Sequence, residues 1–174
     1  TTMKTYSLQL ADNQLITYQD RKRHLWLLSM LYPLLALSGV GLYLVTGSQW
    51  LLLTPLVSIY GGASLFDWLL GIDKSNPPEE LVPQLEEDPY YRWLPMLTVP
   101  LHVVVLVVIA GFTATHDLSW LSMLVLALTA GLYSGLAINT AHELGHKKTE
   151  LERRLARIAA GISLYGHFCI EHNR

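Results

Sequence analysis

Four apolar stretches, at 25–46, 50–72, 94–114 and 120–141, constrain this chain more than any other feature of its sequence. Each exceeds the ~20 residues that a helix, rising ~1.5 Å per residue, needs to cross a hydrocarbon layer ~30 Å thick. Lipid offers no partner to free backbone N–H and C=O groups, so an open chain crosses it only as helix. The expected fold is therefore all-α and polytopic, with four transmembrane spans. Trp26, Trp50, Trp68, Trp93 and Trp120 fall near the expected span ends, where an amphipathic indole prefers the headgroup layer. With 51% hydrophobic and 15% charged residues and a mean hydropathy of +0.31, the chain carries too little charge for a soluble domain of its length. A net charge of −2 argues against a nucleic-acid surface, and the lone Cys169 excludes an internal disulfide or a thiolate metal cage.

The first stretch is too long for the apolar core of a signal peptide, and no small-residue cleavage site follows it, so it is expected to remain as an anchor. Residues 1–24 read as a cytoplasmic N-terminal arm, a polar and flexible lead-in through Asp20. Arg21, Lys22 and Arg23 precede the first span, and Lys147, Lys148, Arg153, Arg154 and Arg157 follow the fourth, whereas the short connections 47–49 and 115–119 contain no Lys or Arg. Positive charge marks the cytoplasmic side, which places both chain ends and the long loop 73–92 there. In that loop Asn76, Pro77, Pro78, Glu79 and Glu80 form a helix-start pattern, and Pro89 is expected to close the segment. Gly131 and Gly135 form a GxxxG that would let another helix approach closely.

Chemistry concentrates where the fourth span ends. His142, Glu143 and His146 stand in the sequence His-Glu-Leu-Gly-His-Lys-Lys at 142–148. Residues four apart share a helix face, so the two imidazoles can be directed at one metal ion, and imidazole suits iron, zinc and copper. His172 follows on the same side of the membrane and can return to that metal if the intervening stretch folds back as a helix. HExxH alone points first to zinc peptidases, in which the glutamate activates a metal-bound water. Glu143 could instead orient a ligand or relay a proton. Asp67 lies inside the second span near its cytoplasmic end, where a carboxylate is costly and a functional candidate by default. Its depth suits an acid that accepts the second N–H of a metal-bound imidazole. His102, in the third span, is expected to be buried against a backbone carbonyl.

These residues also carry a resemblance. Residues 136–148, Leu-Ala-Ile-Asn-Thr-Ala-His-Glu-Leu-Gly-His-Lys-Lys, resemble the first histidine box of the membrane-bound alkane 1-monooxygenases. Residues 166–174, Gly-His-Phe-Cys-Ile-Glu-His-Asn-Arg, resemble the opening of the second box. Asp-Trp-Leu-Leu-Gly-Ile-Asp at 67–73, Asn-Pro-Pro-Glu-Glu at 76–80 and Tyr-Tyr-Arg at 90–92 fit the same family. The resemblance implies a six-helix membrane enzyme, related in fold to fatty-acid desaturases and hydroxylases, in the bacterial inner membrane with its active site facing the cytoplasm. It implies two iron ions held by histidines, O2-dependent hydroxylation of the terminal methyl of medium-chain n-alkanes, and electrons from rubredoxin, itself reduced by an NADH-dependent reductase. The ligands carried over are His142, His146 and His172. Alternative readings are an intramembrane zinc metalloprotease or a related desaturase. The family's second box continues beyond Arg174, and a third box and two further spans follow, so the expectation is of an N-terminal part that by itself neither completes the site nor turns over. The residue preceding the tyrosine that matches Tyr60 gates the alkane channel in the resembling enzymes; here it is Ile59.

Overall fold

The computed structural model describes residues 3–71, 75–168 and 171. Its framework is a set of long apolar helices, α1 (Trp26–Thr46), α2 (Gln49–Leu70), α4 (Pro89–Thr115) and α5 (Trp120–Gly145), each long and apolar enough to cross a membrane. A short α3 (Val82–Glu87) precedes α4, and α6 (Glu150–Ile162) follows α5. The all-α polytopic expectation holds, with one addition at the N-terminus.

That addition corrects the flexible lead-in. Strands β1 (Lys4–Gln9) and β2 (Leu15–Asp20) form an antiparallel hairpin running from the pair Lys4–Asp20 to the pair Gln9–Leu15. Asn13 takes a left-handed φ of 65° in its turn, a conformation asparagine tolerates. The Asp12 carboxylate accepts the Gln14 N–H at 3.1 Å, closing the same turn. Only Tyr6 and Asp20 of the hairpin are buried, so hydrophobic burial contributes little. What fixes the hairpin is an ionic contact, described below.

The apolar helices are not uniform. Pro33 lacks an N–H and crowds the preceding turn, and α1 tightens into a 3-10 stretch over Tyr32–Leu37. Helix α2 widens into a π turn at Ser58–Gly62, a departure that tends to mark functional positions. Where α1 and α2 cross, a Cβ on Gly39 would stand 2.9 Å from the Leu52 carbonyl oxygen and 3.0 Å from both its Cα and Pro55 Cδ. Because two of these contacts are backbone, Gly39→Ala is expected to cost about 1–3 kcal/mol through overpacking, read as lower thermal stability in detergent. An unchanged melting temperature would show that the crossing is loose.

At one end of the bundle the Gln49 side-chain oxygen accepts the Ser119 N–H at 3.0 Å and the Ser122 hydroxyl at 2.6 Å. This joins the two short connections that lack Lys and Arg. The hairpin, α3 and α6 gather at the other end. Two buried clusters stack between these ends. One packs Ala36, Val40, Leu52, Ile109, Phe112 and Tyr133. The other joins α4, α5 and α6 through Met96, Val99 and a seam of five alanines, 137, 141, 156, 159 and 160.

Three local expectations are revised. Pro89 opens α4 instead of closing the loop, because proline suits the first helical position and Asp88 caps it by accepting the Tyr90 N–H at 2.9 Å. Gly131 and Gly135 are exposed, and a Cβ on either would meet nothing within 4 Å, so no described helix packs on that GxxxG. His102 is buried, but its Nε2 lies 2.7 Å from the Tyr32 hydroxyl, where a backbone carbonyl was expected.

Candidate metal centre

Helix α5 continues past the end of its apolar run, and this extension carries His142, with His146 as its C-terminal cap. Ala141 and Leu144 are fully buried on the face toward α4 and α6, which leaves the histidines exposed on the far side. Their Nε2 atoms stand 3.2 Å apart, with ring centroids 4.9 Å apart at 62°. Two nitrogens each about 2.1 Å from one ion, at tetrahedral to octahedral angles, are separated by about 3.0–3.4 Å. The pair therefore fits a shared metal ion, iron or zinc alike.

The stretch that leads to the second box does fold back. Thr149 and Glu152 form a capping box that starts α6, and Leu164, at φ 60°, turns the chain just after the helix. Phe168 then packs on the alanine cluster with its ring 6.1 Å from that of His142. The start of the second box, as far as Phe168, thus arrives beside the first. His172 itself lies outside the described residues. Among the described residues no group of three or more His, Cys, Asp or Glu is placed to hold a metal ion.

Glu143 is ion-paired to Lys147 at 2.8 Å and lines a cavity of about 490 Å3 with Lys22, Trp26, Tyr91 and Arg92. Asp67 is exposed on α2. Ile59 lies within the π turn and packs against the buried cluster of α1, α4 and α5, whereas Tyr60 beside it is exposed.

Two polar assemblies at this end escaped the sequence reading. In the first, buried Asp88 accepts hydrogen bonds from Arg23 (2.7 and 3.2 Å), Lys4 (2.7 Å) and the Tyr6 hydroxyl, which docks the hairpin on the start of α4. The Arg23 guanidinium, helped by Lys4 and Tyr6, holds the Asp88 carboxyl well below the usual carboxylate range; burial, with the neighbouring Asp88, pushes the Tyr6 hydroxyl up to about 12. Asp88→Asn leaves the cations without their counter-charge and is expected to weaken hairpin docking by about 3 kcal/mol. The pH dependence has a definite sign. Because the folded carboxyl titrates below its unfolded value of ~3.9, this stabilisation is complete above about pH 4 and is lost as pH falls through the folded value. Hydrogen exchange of the hairpin amides reads both effects, and protection that is insensitive to the substitution would contradict them.

The second assembly is built on Glu152. Arg92 donates to its Oε1 from Nη2 at 3.0 Å and from Nε at 3.2 Å, while the Thr149 hydroxyl donates to Oε2 at 2.6 Å. Burial pushes this carboxyl up, but the hydrogen bonds from Thr149 and Arg92 outweigh burial and hold it below its ordinary value. The Thr-x-x-Glu spacing was visible in the sequence; its partner, 60 residues away, was not.

No protein-family profile matches the chain. Individual relatives do. It is 48% identical over 166 residues to alkane 1-monooxygenase 1 of Alcanivorax borkumensis, covering 94% of this chain and 40% of that protein. It is 46% identical to the alkane 1-monooxygenase of Ectopseudomonas oleovorans and 43% identical to that of Pseudomonas putida, in each case over 90% of this chain and 39% of the relative. The chain therefore spans about two fifths of the length of these curated relatives. Over the part of their length that it spans, the chain is homologous to these alkane 1-monooxygenases.

Proposed function

We propose that the full-length protein hydroxylates medium-chain n-alkanes at the terminal carbon, using O2 and electrons from rubredoxin, at a histidine-ligated di-iron site. The observation that carries this reading is the convergence of His142 and His146, with Nε2 atoms 3.2 Å apart, in a membrane protein homologous to alkane 1-monooxygenases. His142, His146 and His172 would hold iron, and iron when bound supplies the activation of O2 that an unreactive C–H bond requires. Imidazole ligands at the end of an apolar bundle suit a substrate with no polar handle, which partitions into lipid and needs a dry channel.

The remaining residues serve that site. Glu143 and Asp67 are proposed as supporting acids: Glu143 as an orienting or proton-relaying group next to the ligands, Asp67 as acceptor of a ligand's second N–H. Ile59 is proposed to line the alkane channel. The basic end of the bundle, carrying the box, faces the cytoplasm of the inner membrane by the positive-inside rule, where rubredoxin and its NADH-dependent reductase can reach it.

The competing zinc protease needs Glu143 to activate a metal-bound water. The relatives that the chain matches are alkane 1-monooxygenases, which speaks against that role. The test is turnover. Membranes containing the full-length protein, given octane, O2 and reduced rubredoxin, are expected to produce 1-octanol. Cleavage of membrane peptides without any octanol would favour the protease.

A further inference from the structure

We infer that Arg92 and Glu152 are a positioning pair for the metal centre, fixing the register of the helix that carries the chain from the first histidine box to the second. The inference rests on the reading of His142, His146 and His172 as ligands of one centre. Glu152 is only 1% exposed, and its two carboxylate oxygens are committed in different directions. Oε1 reaches Arg92 on the first turn of α4. Oε2 takes the Thr149 hydroxyl and lies 3.3 Å from the Thr149 N–H, holding the short turn that begins at His146. A single carboxylate thus joins α4, the exit from the first box and the start of α6.

A capping box alone needs neither an arginine nor burial. Taking the Glu152 carboxylate out of water costs several kcal/mol, even with the Arg92 side chain left 40% exposed, and apolar residues of similar volume commonly serve stability as well. A reason to keep the pair lies in the surface beside it. Helix α6 meets α5 through Ala156, Ala159 and Ala160 against Ala137 and Ala141. Alanines allow close approach but interlock poorly, so this seam resists sliding or rotation only weakly. A slip of one residue moves α6 by ~1.5 Å, whereas a metal or catalytic constellation tolerates about 0.5 Å. Phe168, beside His142 at the far end of this path, would move with the helix.

The test uses full-length protein in detergent, comparing Glu152→Gln, Arg92→Gln, the double variant and Arg92→Lys. The parent's metal is identified first, and the rate of its loss to a chelator is then measured alongside helicity by circular dichroism. Each single Gln variant is expected to release metal roughly tenfold faster at parental helicity, the scale on which groups behind metal ligands act. The double variant should recover most of that loss, since two amides can hydrogen-bond without an unpaired charge. Arg92→Lys, which keeps the charge and folds most readily, should fall between parent and Arg92→Gln. Parental release rates in both single variants overturn the inference, as does loss in the singles without recovery in the double. Zinc in the parent overturns the functional reading while the release rates still decide the positioning role. A parent that holds no metal overturns both.

Discussion

Replacing any one of His142, His146 and His172 with alanine is expected to abolish alkane hydroxylation in the full-length protein and to lower its iron content in parallel. Losing a group behind a metal ligand typically costs 10–100-fold in metal affinity or activity, so losing the ligand should cost more. For His142 and His146 the expectation rests on geometry. Their side chains are exposed on the last turn of α5 and converge at Nε2, while the packing that holds this turn comes from Ala141 and Leu144. Truncating an exposed imidazole should therefore leave folding intact. Octanol formation, metal per chain and circular dichroism, measured on the same samples, separate the two effects. Full activity in any variant would remove that histidine from the site.

The second large effect concerns substrate length. Ile59→Trp is expected to shift the product profile toward shorter alcohols while sparing activity on the shortest good substrate. Ile59 sits in the π turn of α2, which locally changes the direction of side chains, and it packs against the buried cluster. A larger ring there would shorten an interior channel. Each methylene seated in an apolar site contributes about 0.8 kcal/mol, so excluding two or more changes preference by roughly tenfold or more. Competition between octane and longer alkanes reads this ratio directly. A profile identical to the parent across the series would place Ile59 outside the channel.

What could be read from the sequence follows from how each signal is encoded. Membrane helices announce themselves as uninterrupted apolar runs, because lipid filters composition residue by residue. Their ends are encoded differently. Helix α5 runs on to Gly145, past its apolar residues, because hydrogen bonding and packing by Leu144 sustain it there. Helix α4 begins at Pro89 because a proline that stops one segment equally well starts the next. The i,i+4 histidines were legible for the same local reason. Long-range polar contacts were not: Asp88 meets Lys4 across 84 residues and Arg23 across 65, and nothing in the neighbourhood of any of them marks the others. The hairpin depends on that contact, so a reading that missed Asp88 also missed the order of residues 4–20. The GxxxG shows the reverse failure, a local motif that no described helix answers.

The identity of the metal decides between hydroxylase and protease, and elemental analysis of the purified full-length protein tests it most directly. A histidine-ligated hydroxylase should carry about two iron ions per chain, lost on substitution of His142 or His146. Stoichiometric zinc, with iron absent and no hydroxylation on reconstitution, would contradict the account and return HExxH to its hydrolytic reading.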